Sequence, residues 1–172
     1  MEEKSKITQK EETINEKDGS VMVYIPTGIF LMGNEKNSVS VDAFYIDKYP
    51  ITNDQYKKFM VETNYVEPAF WKDKKFNNPD QPVVGVNWDD AVAYANWAEK
   101  KLPEEKEWEK ASRGIDGREY PWGNMKPNQS LAVFDLDISI GSPTNVGTHL
   151  AGVSPYGCYD MAGNIWEWCQ EW

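Results

Sequence analysis

The chain has 172 residues, 13% of them aromatic, and a formal net charge of −10. That length can bury a core in one domain, and the eight Trp, nine Tyr and six Phe argue against a disordered chain. The acidic balance excludes nucleic acid and anionic membrane surfaces as natural partners, and no apolar run reaches the length of a membrane span.

Residues 1–20, MEEKSKITQKEETINEKDGS, are polar and charged, with Ile7 and Ile14 the only aliphatic side chains after Met1. They are expected to form a mobile tail ahead of a single domain over residues 21–172. They carry no signal-peptide core, so the cytoplasm is the expected compartment. VMVYIP and GIFLMG read as two short strands joined by a turn at Pro26, Thr27 and Gly28. VSVDAFYIDKYPIT alternates as one further strand, with Val39, Val41, Ala43 and Tyr45 on one side.

Thr52 and Gln55 form a capping box that opens a helix through Tyr56, Phe59 and Met60. Residues 64–81 form an aromatic, proline-containing loop with Phe70, Trp71 and Phe76. The next helix begins near Asn87 and carries Trp88, Ala91, Tyr94, Ala95 and Ala98 at helical spacing. A third, short helix covers residues 104–112 and turns Trp108 to the core. Its acids Glu104, Glu105, Glu107 and Glu109, interleaved with Lys106 and Lys110, read as a solvated face. Beyond Gly114 the chain is rich in Gly, Pro and Asn and has no regular element.

The closing run, YGCYDMAGNIWEWCQEW over residues 156–172, combines three tryptophans, two glycines and three carboxylates without a steady period. It reads as a shaped loop, with Gly157 and Gly163 giving backbone freedom and the tryptophans giving bulk. Asp160 and Glu167 then offer hard oxygen ligands with main-chain carbonyls between them, the coordination that Ca²⁺ favours. The plainer alternative is two solvated loop carboxylates. For Trp88, Trp97, Trp108, Trp122, Trp166 and Trp168 the reading is packing rather than substrate stacking. Cys158 and Cys169 have neither a CxxC nor a Cys/His spacing, which argues against zinc. They read as buried thiols rather than nucleophiles, and a disulfide between them stays open. His149, the single histidine, reads as structural.

Taken together, MVYIPTGIFLMG, VDAFYIDKYPITNDQYKKFM, PVVGVNWDDAVAYANWAEKKLPEEKEWEKASRG, YPWGN and the closing run resemble the formylglycine-generating enzyme family, the sulfatase-modifying factor domain. Order and spacing follow that family from about Met22 to Trp172. The resemblance implies an α+β, C-type-lectin-like fold with little regular secondary structure. It also implies the family activity, which is oxidation of a cysteine in a sulfatase or another cysteine-containing protein to formylglycine with copper and dioxygen.

The family's catalytic cysteine pair follows an RGGSW-type motif that these residues do not contain. No catalytic residue and no copper ligand therefore carry over, and the domain is read as C-terminally incomplete. The resemblance places one calcium ion on the side chains of Asp160 and Glu167 and the carbonyls of Gly163 and Ile165. A second calcium site would follow the WGN motif, where Leu131 stands near the expected position and Asp135 and Asp137 are the neighbouring carboxylates. Ala95 and Ser112 stand where some members have disulfide cysteines, and Glu104 stands where Thr commonly caps the short helix.

Two functions stay open: an oxidoreductase domain that needs the later segment, and a noncatalytic ligand- or protein-binding module on the same scaffold. A relative that makes sulfoxides at an iron centre is disfavoured, because one histidine cannot build a multi-histidine site.

Overall fold

The computed structural model describes residues 12–134 and 141–171. In chain order the elements are β1 (Glu12–Ile14), β2 (Val21–Ile25), β3 (Gly28–Met32), β4 (Asn37–Val41), β5 (Phe44–Asp47), α1 (Asn53–Thr63), α2 (Trp88–Trp97) and α3 (Glu105–Arg113). One antiparallel sheet runs β1-β2-β5 and a second pairs β3 with β4. After α3 the described chain has one short 3-10 turn, Leu150–Gly152, and is otherwise irregular. This is the α+β architecture with little regular structure that the sequence implies.

Helix α1 starts as expected. The Gln55 N–H donates to the Thr52 hydroxyl at 3.3 Å, and Gln55 Oε1 accepts from the Thr52 N–H at 2.8 Å. A second capping box, not read from the sequence, opens α2. There Asn87 Oδ1 accepts from the Asp90 N–H, and Asp90 accepts from the Asn87 N–H, both at 2.9 Å. The apolar faces of α1 and α2 meet in an aromatic cluster of Tyr56, Phe59, Met60, Val83, Tyr94 and Ala98. A second cluster, Val23, Ile25, Ala111, Cys158 and Met161, joins β2 to α3 and to the closing loop.

Three expectations are corrected. Of the expected tail, residues 1–11 lie outside the described residues, and residues 12–20 are folded rather than mobile. β1 pairs with β2, and Asp18 is 1% exposed. The cause is one ammonium group. Lys100 Nζ donates to Asp18 at 2.6 Å, to Asp47 at 2.8 Å and to the Ser20 hydroxyl at 3.0 Å. The Tyr94 hydroxyl and the Ser20 N–H also donate to Asp18, at 2.7 Å and 2.9 Å. A buried carboxylate is retained when it is paired and fully hydrogen-bonded in this way.

The expected single strand over VSVDAFYIDKYPIT is two strands in different sheets. Val41 pairs with Gly28 and Phe44 with Ile25, so the chain changes sheet at Asp42 and Ala43. That break shifts the alternation by one residue. Phe44 and Ile46 pack against the core, while Tyr45 is 45% exposed instead of sharing a side with Val41.

The acidic face of α3 is solvated only in part: Glu105 is exposed and Glu104, Lys106 and Glu109 are half-buried, but two members of the set are interior. Glu107 is buried and holds Lys101 at 3.1 Å, and its other oxygen accepts from the Glu104 N–H at 2.8 Å. Lys110 is 1% exposed and donates to the carbonyls of Pro26 at 2.6 Å and Gly28 at 3.1 Å. Burial without a carboxylate partner holds its ammonium below the ordinary lysine value.

Replacing Lys100 with Met strands the Asp18 and Asp47 carboxylates in the interior. It is expected to cost about 3–5 kcal/mol in urea unfolding, the range for breaking a buried pair. Lys48→Met removes only the more exposed pair with Glu12 and is expected to cost less than about 1 kcal/mol. Equal losses for the two variants would show that the Lys100 network does not hold the amino-terminal segment.

Candidate functional site

The closing loop is shaped by residues in the left-handed region. Asp160 has φ 57°, Gly163 φ 96° and Asn164 φ 65°. Gly163 is required at its position, because a Cβ there would sit 2.2 Å from the Val133 carbonyl oxygen. Asn164 holds the turn with its N–H on Val133 O at 2.8 Å and its Oδ1 accepting from the Thr144 N–H at 2.9 Å.

Further along, indoles and backbone groups anchor the loop to the helices. Trp88 Nε1 donates to Cys169 O at 2.9 Å, and Trp168 Nε1 donates to Val86 O at 3.1 Å. The Glu171 carboxylate accepts from the Glu105 N–H at 2.9 Å, which places negative charge at the amino end of α3. Trp166 departs from the packing expectation, with an indole that is fully exposed to solvent, and Trp168 is 39% exposed.

Asp160 and Glu167 lie on this frame. Asp160 Oδ2 accepts from the Gly147 N–H at 2.7 Å. Glu167 Oε2 accepts from Trp108 Nε1 at 2.9 Å, which gives Trp108 a polar task beside its packing. The Gly163 carbonyl accepts from the Ile165 N–H at 2.8 Å. Burial pushes the Asp160 carboxyl up, against the Gly147 N–H and the nearby His149. Burial likewise pushes Glu167 up to about 7. The Trp108 N–H opposes that rise, and the charges of Asp160 and Asp47 add to it. Burial thus weighs on both carboxylates, the charge of Asp160 adds to it at Glu167, and among the described residues no lysine or arginine forms an ion pair with either.

The donor chemistry fits a hard divalent cation. Each carboxylate uses one oxygen for the hydrogen bond just described, and each bonded oxygen and carbonyl retains acceptor capacity. The carboxylates are only two, however, and among the described residues no group of three His, Cys, Asp or Glu side chains comes together. Of the second site read from the resemblance, Leu131 is buried, whereas Asp135 and Asp137 lie outside the described residues.

The thiols do not fit copper. Neither is in a disulfide, and Cys158 is fully buried within the core cluster of β2 and α3. Burial pushes the Cys169 thiol up to about 11, with the charges of Glu167, Glu171 and Glu105 adding to the rise. A thiol held protonated is a poor ligand and a poor nucleophile at neutral pH. His149 is partly buried, and its Nδ1 has no partner among the described residues.

Sequence reasoning placed Asp160, Gly163, Ile165 and Glu167 on one loop. It missed the groups that orient them, because Trp108, Gly147, Thr144 and Val133 are distant in sequence and carry no local signal.

Fold and loop together define an α+β scaffold of the formylglycine-generating type. The family model described as the sulfatase-modifying factor enzyme 1-like domain matches residues 8–172, so the chain belongs to that family. It is 32% identical to the formylglycine-generating enzyme of Thermomonospora curvata, over 88% of this chain and 71% of that protein. The Bos taurus formylglycine-generating enzyme is 30% identical over 88% of this chain, which spans only 58% of that relative's length. The chain is also 32% identical to the inactive Cα-formylglycine-generating enzyme 2 of Bos taurus, over 86% of this chain and 69% of the relative. In fold it resembles the solved structure of PvdO from Pseudomonas aeruginosa, with a TM-score of 0.75, 23% identity, and coverage of 92% of this chain and 73% of that one. Among the described residues no helix is long and apolar enough to cross a membrane.

The raised Glu167 carboxyl sets a pH dependence with a definite sign. The folded state holds this proton up to about 7, whereas the unfolded chain releases it near 4.5, so ionisation opposes folding between those values. With divalent cations chelated, the melting temperature is expected to fall as pH rises from 5 to 7.5, and Glu167→Gln is expected to flatten that fall. A wild-type slope retained in Glu167→Gln would assign the titration to another group.

Proposed function

We propose that this chain is the calcium-holding scaffold of a formylglycine-generating-type domain, and that its 172 residues do not by themselves carry out the family oxidation. The observation behind the second part is the state of the two thiols. One is buried in the core, and the other is held protonated by burial and neighbouring acids. On this reading the cysteine pair that would take copper belongs to a segment other than residues 12–134 and 141–171. The substrate class of the complete activity is a cysteine-containing protein such as a sulfatase. Both cysteines being outside any disulfide accords with the cytoplasm as compartment.

The calcium part rests on the desolvation of the Asp160 and Glu167 carboxylates, neither of which forms an ion pair with a lysine or arginine among the described residues. A divalent ion held by their carboxylates and by the Gly163 and Ile165 carbonyls would supply the positive charge that these buried acids lack.

A noncatalytic binding module on the same scaffold is the second reading. The likeness to a relative named as an inactive formylglycine-generating enzyme favours it.

Incubating the purified chain with copper, dioxygen and a sulfatase-type cysteine peptide is expected to leave the peptide unchanged by mass spectrometry. An aldehyde product would overturn the assignment of the thiols. Calcium at a hundredfold excess over its Kd is expected to add about 2.7 kcal/mol, or roughly 5–10 °C in melting temperature. Glu167→Ala should abolish that gain. An unchanged melting curve in calcium would remove the ion from the reading.

A further inference from the structure

A cavity of about 510 Å³ opens between α2, β5 and the closing loop. The thiols do not account for it, and of the four proposed ion ligands it shares Glu167 and Ile165. Its volume falls within the range of small-molecule sites, roughly 300–1,000 Å³, and its walls are mainly apolar and aromatic.

The aromatic walls are fixed in place. Tyr49 and Tyr159 stack with ring centroids 5.1 Å apart and planes 22° from parallel. The Tyr49 ring leaves no room at Gly147, where a Cβ would lie 2.6 Å from it. Tyr94 is held by its hydroxyl on Asp18 at 2.7 Å, and Trp168 by its indole N–H on Val86 O at 3.1 Å. A wall anchored in this way loses little rotamer freedom when a ring settles against it.

The charges on the wall restrict what can enter. Lys100 is held by two carboxylates, Asp18 and Asp47, and its remaining donor capacity goes to Ser20. Lys101 is committed to Glu107 and Glu104. Glu167 faces the same space with no cation beside it, and Glu99 stands at the exposed rim. Both ammonium groups are already paired with carboxylates, and the balance of the wall, with Asp47, Glu99, Glu107 and Glu167 against Lys100 and Lys101, is negative.

We propose that this cavity is a binding site for an uncharged, ring-bearing apolar small molecule. The site uses neither thiol, and because it shares Glu167 and Ile165 with the proposed ion site, the titration is run with divalent cations chelated.

The test is fluorescence titration of the full chain with Nile red, an uncharged ring-bearing dye, beside the anionic dye 1-anilinonaphthalene-8-sulfonate. One saturable Nile red site per chain is expected in a monodisperse sample, with the anionic dye at least tenfold weaker. Ala91 lines the cavity from α2, so Ala91→Phe, which fills it, is expected to weaken Nile red at least tenfold with the circular dichroism spectrum intact. If Ala91→Phe fails to fold, Ala91→Leu takes its place with a loss of at least threefold. Equal affinity for the two dyes, or Nile red binding indifferent to filling at Ala91, would overturn the proposal. So would a cavity closed by association of two copies, seen as dye binding that vanishes as protein concentration rises.

Discussion

One ammonium group ties together three pieces of chain that are far apart in sequence. Lys100, just past α2, meets Asp18 from the amino-terminal segment and Asp47 from the end of β5. Its side chain is 9% exposed and that of Asp18 is fully buried, so neither charge has an adequate hydration shell and each depends on the other. The effect on the two acids differs. Burial raises Asp47 overall, whereas for Asp18 the bonds and charge of Lys100, with Ser20 and Tyr94, outweigh burial and hold the carboxyl below its ordinary value. The same contact positions Tyr94 in the aromatic core and sets the edge of the cavity beside α2.

The remaining architecture builds on that junction with few regular elements. Among the described residues, two short sheets and three helices leave a long irregular stretch to be held by specific bonds. In the closing loop, indole N–H groups and an asparagine do work that a ladder does elsewhere: Trp88, Trp108 and Trp168 each donate to a group distant in sequence. A tryptophan suits this task because one end supplies apolar area and the other a single directed donor. The loop therefore holds the Asp160 and Glu167 carboxylates by directed bonds from Gly147 and Trp108 although burial opposes the charge of each.

What the sequence made legible was local. The capping box at Thr52 and Gln55, the helical spacing of Tyr94 and Ala98, and the left-handed demand at Gly163 are written in neighbouring residues, and the structure contains all three. What stayed hidden was long-range charge. Asp18 looked like part of a polar tail and Lys110 like part of a solvated helix face, because composition cannot reveal a partner some eighty residues away. The sheet change at Asp42 and Ala43 was masked by an alternation that continues across the break with its phase shifted. In the closing loop, the Gly163 and Ile165 carbonyls are singled out only by the family resemblance, and the Asp160 and Glu167 carboxylates by their spacing as well. Their electrostatic strain arises only when burial and the neighbouring acids are known.

Lys110 carries a consequence of its own. Its amine is enclosed by the main-chain carbonyls of Pro26, in the turn after β2, of Gly28 in β3 and of Val41 in β4 rather than by a carboxylate, so its charge is balanced by dipoles that converge only while the β3–β4 sheet and the turn leading into it are assembled. An apolar side chain here would take this donor from the Pro26 and Gly28 carbonyls, while Val41 O would keep the Thr27 hydroxyl. An amine-directed acylating reagent should spare this nitrogen in intact molecules and label it only after global opening. Lys110 is thus an internal gauge of how often the domain comes apart.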